Sequence, residues 1–293
     1  VKRSPNRRRL VIRLAELSLL CLLILIAAAH ILCSGTLRVP RRTYHLSDWQ
    51  PIETTARDGA ILRGWFTARS TPPYDCVLVL HGINDTAKSA AGFAPTFLDA
   101  GYAVAIPDAR GHGRSEGELI TYGVLERHDV LAWARTLRAR GCQRLYALGE
   151  SLGAAVLIQA AAVEPAAFHA IAAESAYADL RTVGEYRVRK FARLPAPIVS
   201  VLVASSIHYA RLRYGLDLNQ ASPVDAIGRT TTPILLIHGM ADDLTPPSHS
   251  ESLSRATPRA QVWLVPRAGH VQASAVAARE FRERVLEWFA AHR

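Results

Sequence analysis

The first hydrophobic feature of the chain is a block rather than a periodicity. From Leu17 to Cys33 it reads LSLLCLLILIAAAHILC, seventeen residues without a formal charge, preceded by Arg7, Arg8, Arg9 and Arg13. A helix of that length sits at the lower limit for crossing a bilayer; Leu14 and Ala15 add margin and bring Glu16 to the interface. Residues 35–48 are a polar, arginine-bearing linker. Beyond it, short apolar runs alternate with longer helical patterns, the arrangement of a mostly parallel sheet covered by helices on both faces. Gln50–Ala56 and Ile61–Ala68 flank Arg57-Asp58-Gly59, and Asp-Gly between two such runs predicts an antiparallel opening hairpin. The runs Cys76–Leu80, Ala103–Pro107, Arg144–Leu148, Ala170–Ala173, Ile234–His238 and Gln261–Val265 predict parallel strands. Helical patterns fall near 86–99, 123–140, 152–163 and 274–291.

Residues 179–226 break this rhythm. They pass through Leu194-Pro195-Ala196-Pro197 and the apolar run Ile198–Ser205 with no clear strand. They are read as a small helical cap over about 180–225, placed where a lid would lie over a site at the ends of the strands. The organisation predicted is therefore a basic tail and membrane-spanning anchor over 1–34, a linker over 35–48, and one α/β domain over 49–293 with about eight strands.

The formal charge of +10 would invite a nucleic-acid partner, but nine basic residues and only Glu16 fall in the first 45 positions, and the remainder is nearly balanced. The excess belongs to targeting. No later stripe of Lys/Arg interleaved with stacking aromatics occurs, so nucleic-acid binding is not expected. Six basic residues precede the apolar block and Arg38, Arg41 and Arg42 follow it, a bias that keeps the N-terminus cytoplasmic and sends the domain across. Two rival readings of the block are a signal peptide cut near Ala27-Ala28-Ala29, leaving a secreted domain, and a buried helix of the soluble domain. Four cysteines form no C-x-x-C or Cys/His cluster, so neither a metal nor another cofactor is expected.

Chemistry concentrates at Gly149-Glu150-Ser151-Leu152-Gly153, between a strand and an alanine-rich helical run. A nucleophile on such a turn needs small neighbours, because the backbone there is strained and tightly packed. A serine hydroxyl is a poor nucleophile until a neutral imidazole takes its proton, and that imidazole needs a third group to orient it. The strand at 234–238 ends near Asp242 and Asp243, and the strand at 261–265 ends near Gly269-His270. We therefore read Ser151, Asp242 and His270 as nucleophile, orienting acid and base, with Asp243 the alternative acid or a loop aspartate capping the helix after Pro246-Pro247. His238 is read as structural. Backbone N–H groups of Leu152 and of Ile83, in the loop His81-Gly82-Ile83-Asn84, are the expected oxyanion donors. His81 then fixes the loop, and the Asn84 side chain lines the acyl pocket.

With these residues assembled, the region from about 50 to 290 resembles the α/β-hydrolase superfamily, in particular its serine aminopeptidase-like and Bem46-like membrane-anchored hydrolases. The resemblance rests on Asp58-Gly59, Leu80-His81-Gly82, Asp108-Ala109-Arg110-Gly111-His112-Gly113-Arg114-Ser115, Gly149-Glu150-Ser151-Leu152-Gly153, His238-Gly239 with Asp242, and Gly269-His270. In the Asp108–Ser115 run, Arg110 and Ser115 are read as tying the loop down. The strands after Cys76 and Cys142 become neighbours in such a fold; free buried thiols are the expected state, with a bridge the alternative in an oxidising compartment. The activity implied is hydrolysis of a carboxylic ester or thioester, on a small or lipid-like acyl substrate. An apolar chain is read from the cap, with Arg187, Arg189, Lys190, Arg193, Arg211 and Arg213 facing anionic headgroups. The rivals are an aminopeptidase or amidase, which would want carboxylates in the cap beyond Glu185, and a non-catalytic binding domain.

Overall fold

The computed structural model describes residues 5–42 and 44–293; Lys2 and Arg3 of the basic tail lie outside the described residues. The chain opens with helix α1 (Pro5–Leu37), which runs three residues into the segment read as linker. Strands β1 (Gln50–Thr55) and β2 (Ile61–Thr67) form the antiparallel hairpin around Asp58-Gly59. Six strands follow: β3 (Tyr74–Leu80), β4 (Ala103–Pro107), β5 (Cys142–Glu150), β6 (Ala170–Glu174), β7 (Ile234–Gly239) and β8 (Ala260–Val265). They join the hairpin in one sheet of order β1-β2-β4-β3-β5-β6-β7-β8, parallel from β4 through β8.

The helices between strands are α2 (Ala87–Ala90), α3 (Ala94–Asp99), α4 (Glu126–Ala139) and α5 (Leu152–Val163). After β6 come α6 (Leu180–Ala192), α7 (Ala196–Tyr214) and α8 (Pro223–Ile227); α9 (Ser248–Arg255), α10 (Ala273–Val276) and α11 (Ala278–Ala291) complete the fold. The excursion after β6 is thus helical, as its lack of strand patterning implied.

Two apolar layers, one on each face of the sheet, hold the fold together. One packs α4, α5 and α8 against β3, β5 and β6 through residues such as Trp133, Leu137, Leu157 and Ile171. The other packs α3 and α11 on the opposite face through Phe97, Tyr146, Phe281 and Phe289. Because strands buried on both faces need no polar side, β4 reads as an unbroken apolar run, and so does β6 from Ala170 to Ala173. α5 is buried along almost its whole length, which is why its sequence lacks an amphipathic stripe.

Cys76 and Cys142 are joined by a disulfide, against the expectation of free thiols. The parallel pairing of β3 with β5 brings the starts of the two strands together, leaving the cysteines 5.7 Å apart at Cα.

The Asp108–Ser115 loop is tied down as its residue types imply. Arg110, 4% exposed, donates to both carboxylate oxygens of Asp129 at 2.6 and 2.8 Å and to Asp58 of the opening hairpin at 2.9 Å. Ser115 Oγ donates to Asp108 O at 2.7 Å and accepts from Arg63 N at 2.9 Å. Asp108 in turn accepts from Tyr44 Oη and Ala87 N on one oxygen and from Arg114 N on the other. Arg110→Ala strands the Asp129 carboxylate inside the protein, so denaturant unfolding should show a loss of about 3–5 kcal/mol. A loss below about 1 kcal/mol would show that the pair is not what holds this loop.

Candidate active site

Strand β5 delivers Ser151 directly into α5 through a turn in which Ser151 has φ 50° and ψ −109°. A non-glycine residue with positive φ is strained by about 1–3 kcal/mol and persists only where its surroundings over-determine it. Here the Ser151 N–H donates to Glu174 O at 2.8 Å, anchoring the turn to β6. The flanking glycines make the close approach possible. A Cβ on Gly149 would lie 2.6 Å from Ala154 N, and one on Gly153 would lie 2.6 Å from Leu80 O.

His270 and Asp242 arrive from the two strands that follow the helical excursion. Asp242 lies in the loop after β7 and His270 in the loop after β8. His270 Nε2 is 2.9 Å from Ser151 Oγ, and His270 Nδ1 is 2.8 Å from Asp242 Oδ2. An ionised carboxylate only accepts, so Nδ1 carries the proton and Nε2 is free to accept from the serine hydroxyl. Of the two acids weighed from sequence, Asp242 is the one beside the imidazole. Asp243 does not cap the following helix: it is exposed and pairs with Lys190 Nζ at 2.6 Å.

The Asp242 carboxyl is held from four directions. Its Oδ1 accepts from Leu244 N at 3.0 Å and Thr245 N at 2.8 Å, while Oδ2 faces His270 and lies 3.3 Å from His238 Nε2. Burial alone would raise its pKa, yet the contacts with His238, His270 and the Thr245 N–H outweigh this and hold it well below the usual carboxylate range. His238 is wholly buried, with Nδ1 2.6 Å from Ser250 Oγ and Nε2 2.6 Å from Thr245 O, which fits the structural role read for it.

The loop facing Ser151 is fixed by His81. Its Nε2 accepts from Ala109 N at 3.0 Å and its Nδ1 donates to Gly82 O at 2.7 Å; burial pushes its pKa down, consistent with this neutral tautomer. A Cβ on Gly82 would lie 3.5 Å from Ser151 Cβ, so Gly82 and Ile83 stand against the serine. Ile83 lines both cavities that meet at Ser151, Leu152 opens α5, and Asn84 lines the more polar cavity.

Those two cavities differ in character. One, about 630 Å³, is lined by Asn84, Asp85, Glu150, His270 and Ser274 with Phe93 and Phe281. The other, about 450 Å³, runs beneath α6 and α7 and is lined mainly by aliphatic and aromatic side chains, among them Leu180, Val183, Val203 and Ile207. Arg187 borders both, and its guanidinium donates to Leu244 O at 3.1 Å and Thr245 Oγ1 at 3.2 Å. Arg187 and Lys190 therefore fasten α6 to the loop that carries Asp242 rather than facing headgroups. Arg189, Arg193, Arg211 and Arg213 are exposed.

Two further acids escaped the sequence reading. Glu150 and Glu174 are register partners at the ends of β5 and β6, one immediately before Ser151. Burial, with Glu174 and Asp85 nearby, raises Glu150 to about 8. Burial raises Glu174 to about 7, and its Oε1 accepts from Ala273 N at 2.8 Å. Glu150 stood inside the motif as an unassigned position; only its pairing with a second buried acid across the sheet reveals it.

A strained serine on a strand-to-helix turn, in a doubly covered parallel sheet with histidine and aspartate on later loops, defines the α/β-hydrolase class. Residues 71–222 match the family described as Serine aminopeptidase, S33. The chain belongs to that family, and it is a hydrolase of the α/β-hydrolase fold. It is 30% identical over 200 residues to the uncharacterized protein YqkD of Bacillus subtilis, covering 67% of this chain and 64% of that relative. It is 28% identical to the uncharacterized protein YfhR of Escherichia coli K12, covering 76% and 74% of the two chains. Among solved structures, the esterase Pf2001 of Pyrococcus furiosus superposes with a TM-score of 0.69 at 23% identity, over 88% of this chain and 98% of that one.

The raised pKa of Glu150 has a consequence for stability. The unfolded chain releases this proton near 4.5 and the folded chain only near 8, so rising pH through that window favours unfolding. Glu150→Gln removes the effect. Its melting temperature relative to the parent should climb between pH 4.5 and pH 8 by at least about 2 °C. A difference that stays constant across those pH values would mean the carboxyl ionises normally.

Proposed function

We propose that the protein is a serine hydrolase that cleaves a carboxylic ester or thioester through an acyl-Ser151 intermediate. The observation that carries this reading is the continuous path from Ser151 Oγ to His270 Nε2, and from His270 Nδ1 to Asp242 Oδ2. Ser151 Oγ attacks the carbonyl carbon as its proton passes to His270, and Asp242 holds the ring and the charge it acquires. The N–H groups of Ile83 and Leu152 donate to the oxyanion. His270 returns the proton to the leaving alcohol or thiol. A water molecule, deprotonated by the same imidazole, then releases the acid and restores the serine.

The apolar cavity at Ser151 favours an acyl chain, with α6 and α7 acting as its cap, and the polar cavity is left for the leaving group. An aminopeptidase or amidase remains the second reading because Asp85 and Glu150 line that polar cavity. Against it, Glu150 keeps its proton to about pH 8, and Glu185 in the cap is paired with Arg181. We also propose that α1 anchors the domain, with the N-terminus cytoplasmic and the domain on the far side. Support comes from the side chains of Leu17, Leu19, Leu20, Leu22, Leu23 and Ile24, more than half exposed on a helix of membrane-spanning length and composition. The Cys76–Cys142 bridge fits an oxidising compartment.

Ser151→Ala should abolish labelling by a fluorophosphonate and lower ester hydrolysis by at least about 1,000-fold. A variant labelled as strongly as the parent excludes this nucleophile, and a parent inert toward the probe and toward every ester, thioester and amide would leave only a binding role. On p-nitrophenyl esters, thioesters and aminoacyl amides, the first two classes should be turned over faster; preference for the amides would establish the second reading. Because His270 must be neutral to accept the serine proton, kcat/KM should fall as the medium is acidified, and a profile flat to pH 4 would remove it as the base.

A further inference from the structure

The apolar cavity that begins at Ser151 is not walled by the hydrolase domain alone. Besides Leu152, Val183 and Val203, its lining includes Leu32, Cys33 and Thr36 of α1. This end of α1 is held in place by packing and by polar ties. Ala29, Cys33 and Leu37, spaced four residues apart, form a buried stripe on one face of the helix. Cys33 and Leu37 cluster with Val199, Val203 and Ala210 of α7. Ile120 N and Tyr122 Oη, from the domain, each donate to carbonyls of α1, at Leu37 O and Thr36 O, both at 2.8 Å.

The two helices run in the same sense. His30 Nδ1 lies 2.9 Å from Tyr209 Oη, and one residue past the end of α1 the Arg38 guanidinium sits 5.9 Å from the centroid of the Tyr214 ring at the end of α7. The amino-terminal half of α7, uncharged from Ala196 through Ile207 and exposing Ile198 and Val201, therefore lies toward the apolar part of α1 that precedes His30. Phe191, at the end of α6, is 68% exposed and lines both cavities. Arg211 and Arg213 lie toward the opposite end, where Arg38, Arg41 and Arg42 follow α1. α1 and α7 thus share an apolar stretch that passes into a basic end, while the exposed Arg189 of α6 and Arg193 just after it flank Phe191 at the apolar end.

We infer that the carboxyl-terminal turns of α1 form one wall of an acyl-chain site, and that this site takes the acyl chain of a membrane-lipid ester from the leaflet at which α1 emerges. The helix is then part of the substrate site as well as an anchor. This rests on the reading of Ser151 as nucleophile, and it adds the substrate class and the helix that selects it.

The test uses the full chain in vesicles of phosphatidylethanolamine and phosphatidylglycerol, with a fluorophosphonate whose dodecyl chain ends in a diazirine. The phosphonate should label Ser151, and irradiation should join the chain's far end to the peptide containing Leu32 to Thr36 and to α7. Labelled Ser151 with crosslinks only around Phe93 and Phe281 would overturn the α1 wall while leaving the nucleophile intact. Absence of label on Ser151 would instead remove the hydrolase reading itself, and the inference with it. As a second measurement, Leu32→Trp should lower the ratio of lauroyl-ester to butyryl-ester hydrolysis by at least about tenfold. A ratio within about twofold of the parent's would overturn the inference, whether both rates fall or neither does.

Discussion

Everything at the site depends on one turn that the backbone resists. Ser151 occupies a positive-φ conformation because β5 must pass straight into a buried helix with the hydroxyl projecting beyond the sheet. That geometry exists only because Gly149 and Gly153 leave no Cβ between the turn, α5 and the end of β3. The strain is offset elsewhere, by an α5 buried on every side and by the hydrogen bond from Ser151 N to β6. The same close approach sets the first turn of α5 beside the Gly82–Ile83 loop, so one constraint positions both the hydroxyl and the backbone groups around it.

The second constraint is electrostatic. Three carboxyl groups lie within the site's floor, and three adjacent negative charges would repel one another in a low-dielectric interior. The fold separates their behaviour by environment. Asp242 is surrounded by backbone N–H groups and imidazoles and stays ionised. Glu150 and Glu174 face one another with few donors, and burial lifts both. The negative charge is thereby concentrated on the one acid in contact with His270, where it can steady a positive ring.

Much of this was legible in the chain. The eight strands announce themselves as short apolar runs between helical patterns, and their ends carry Ser151, Asp242 and His270 because strand-end loops of a parallel sheet share one edge. What was not legible depends on pairings across the sheet or between distant segments. Glu150 looks like an arbitrary residue until β5 is set beside β6 and Glu174 appears opposite. The Cys76–Cys142 bond needs β3 and β5 in register. Arg187 and Lys190 read as members of a surface cluster, and only the approach of α6 to residues 243–245 shows that they fasten the cap to the Asp242 loop. Local patterning carries no information about such partners.

The same limit explains why residues 1–34 were read as separable from the domain. Hydropathy reports that a helix is apolar, and it does not report that one stripe of the helix is buried in protein while the rest is exposed. α1 has that divided character: Ala29, Cys33 and Leu37 are buried, whereas Leu19, Leu23 and Ile31 lie open. On the proposed reading of α1 as an anchor, the open side chains meet lipid and the buried stripe docks on α7. Small residues at positions 29 and 33 let the two backbones approach, and that approach brings Leu32 and Thr36 to the cavity at Ser151. On the proposed reading, anchoring and substrate selection are then two uses of one helix, because the face that docks on the cap adjoins the positions that close the acyl site.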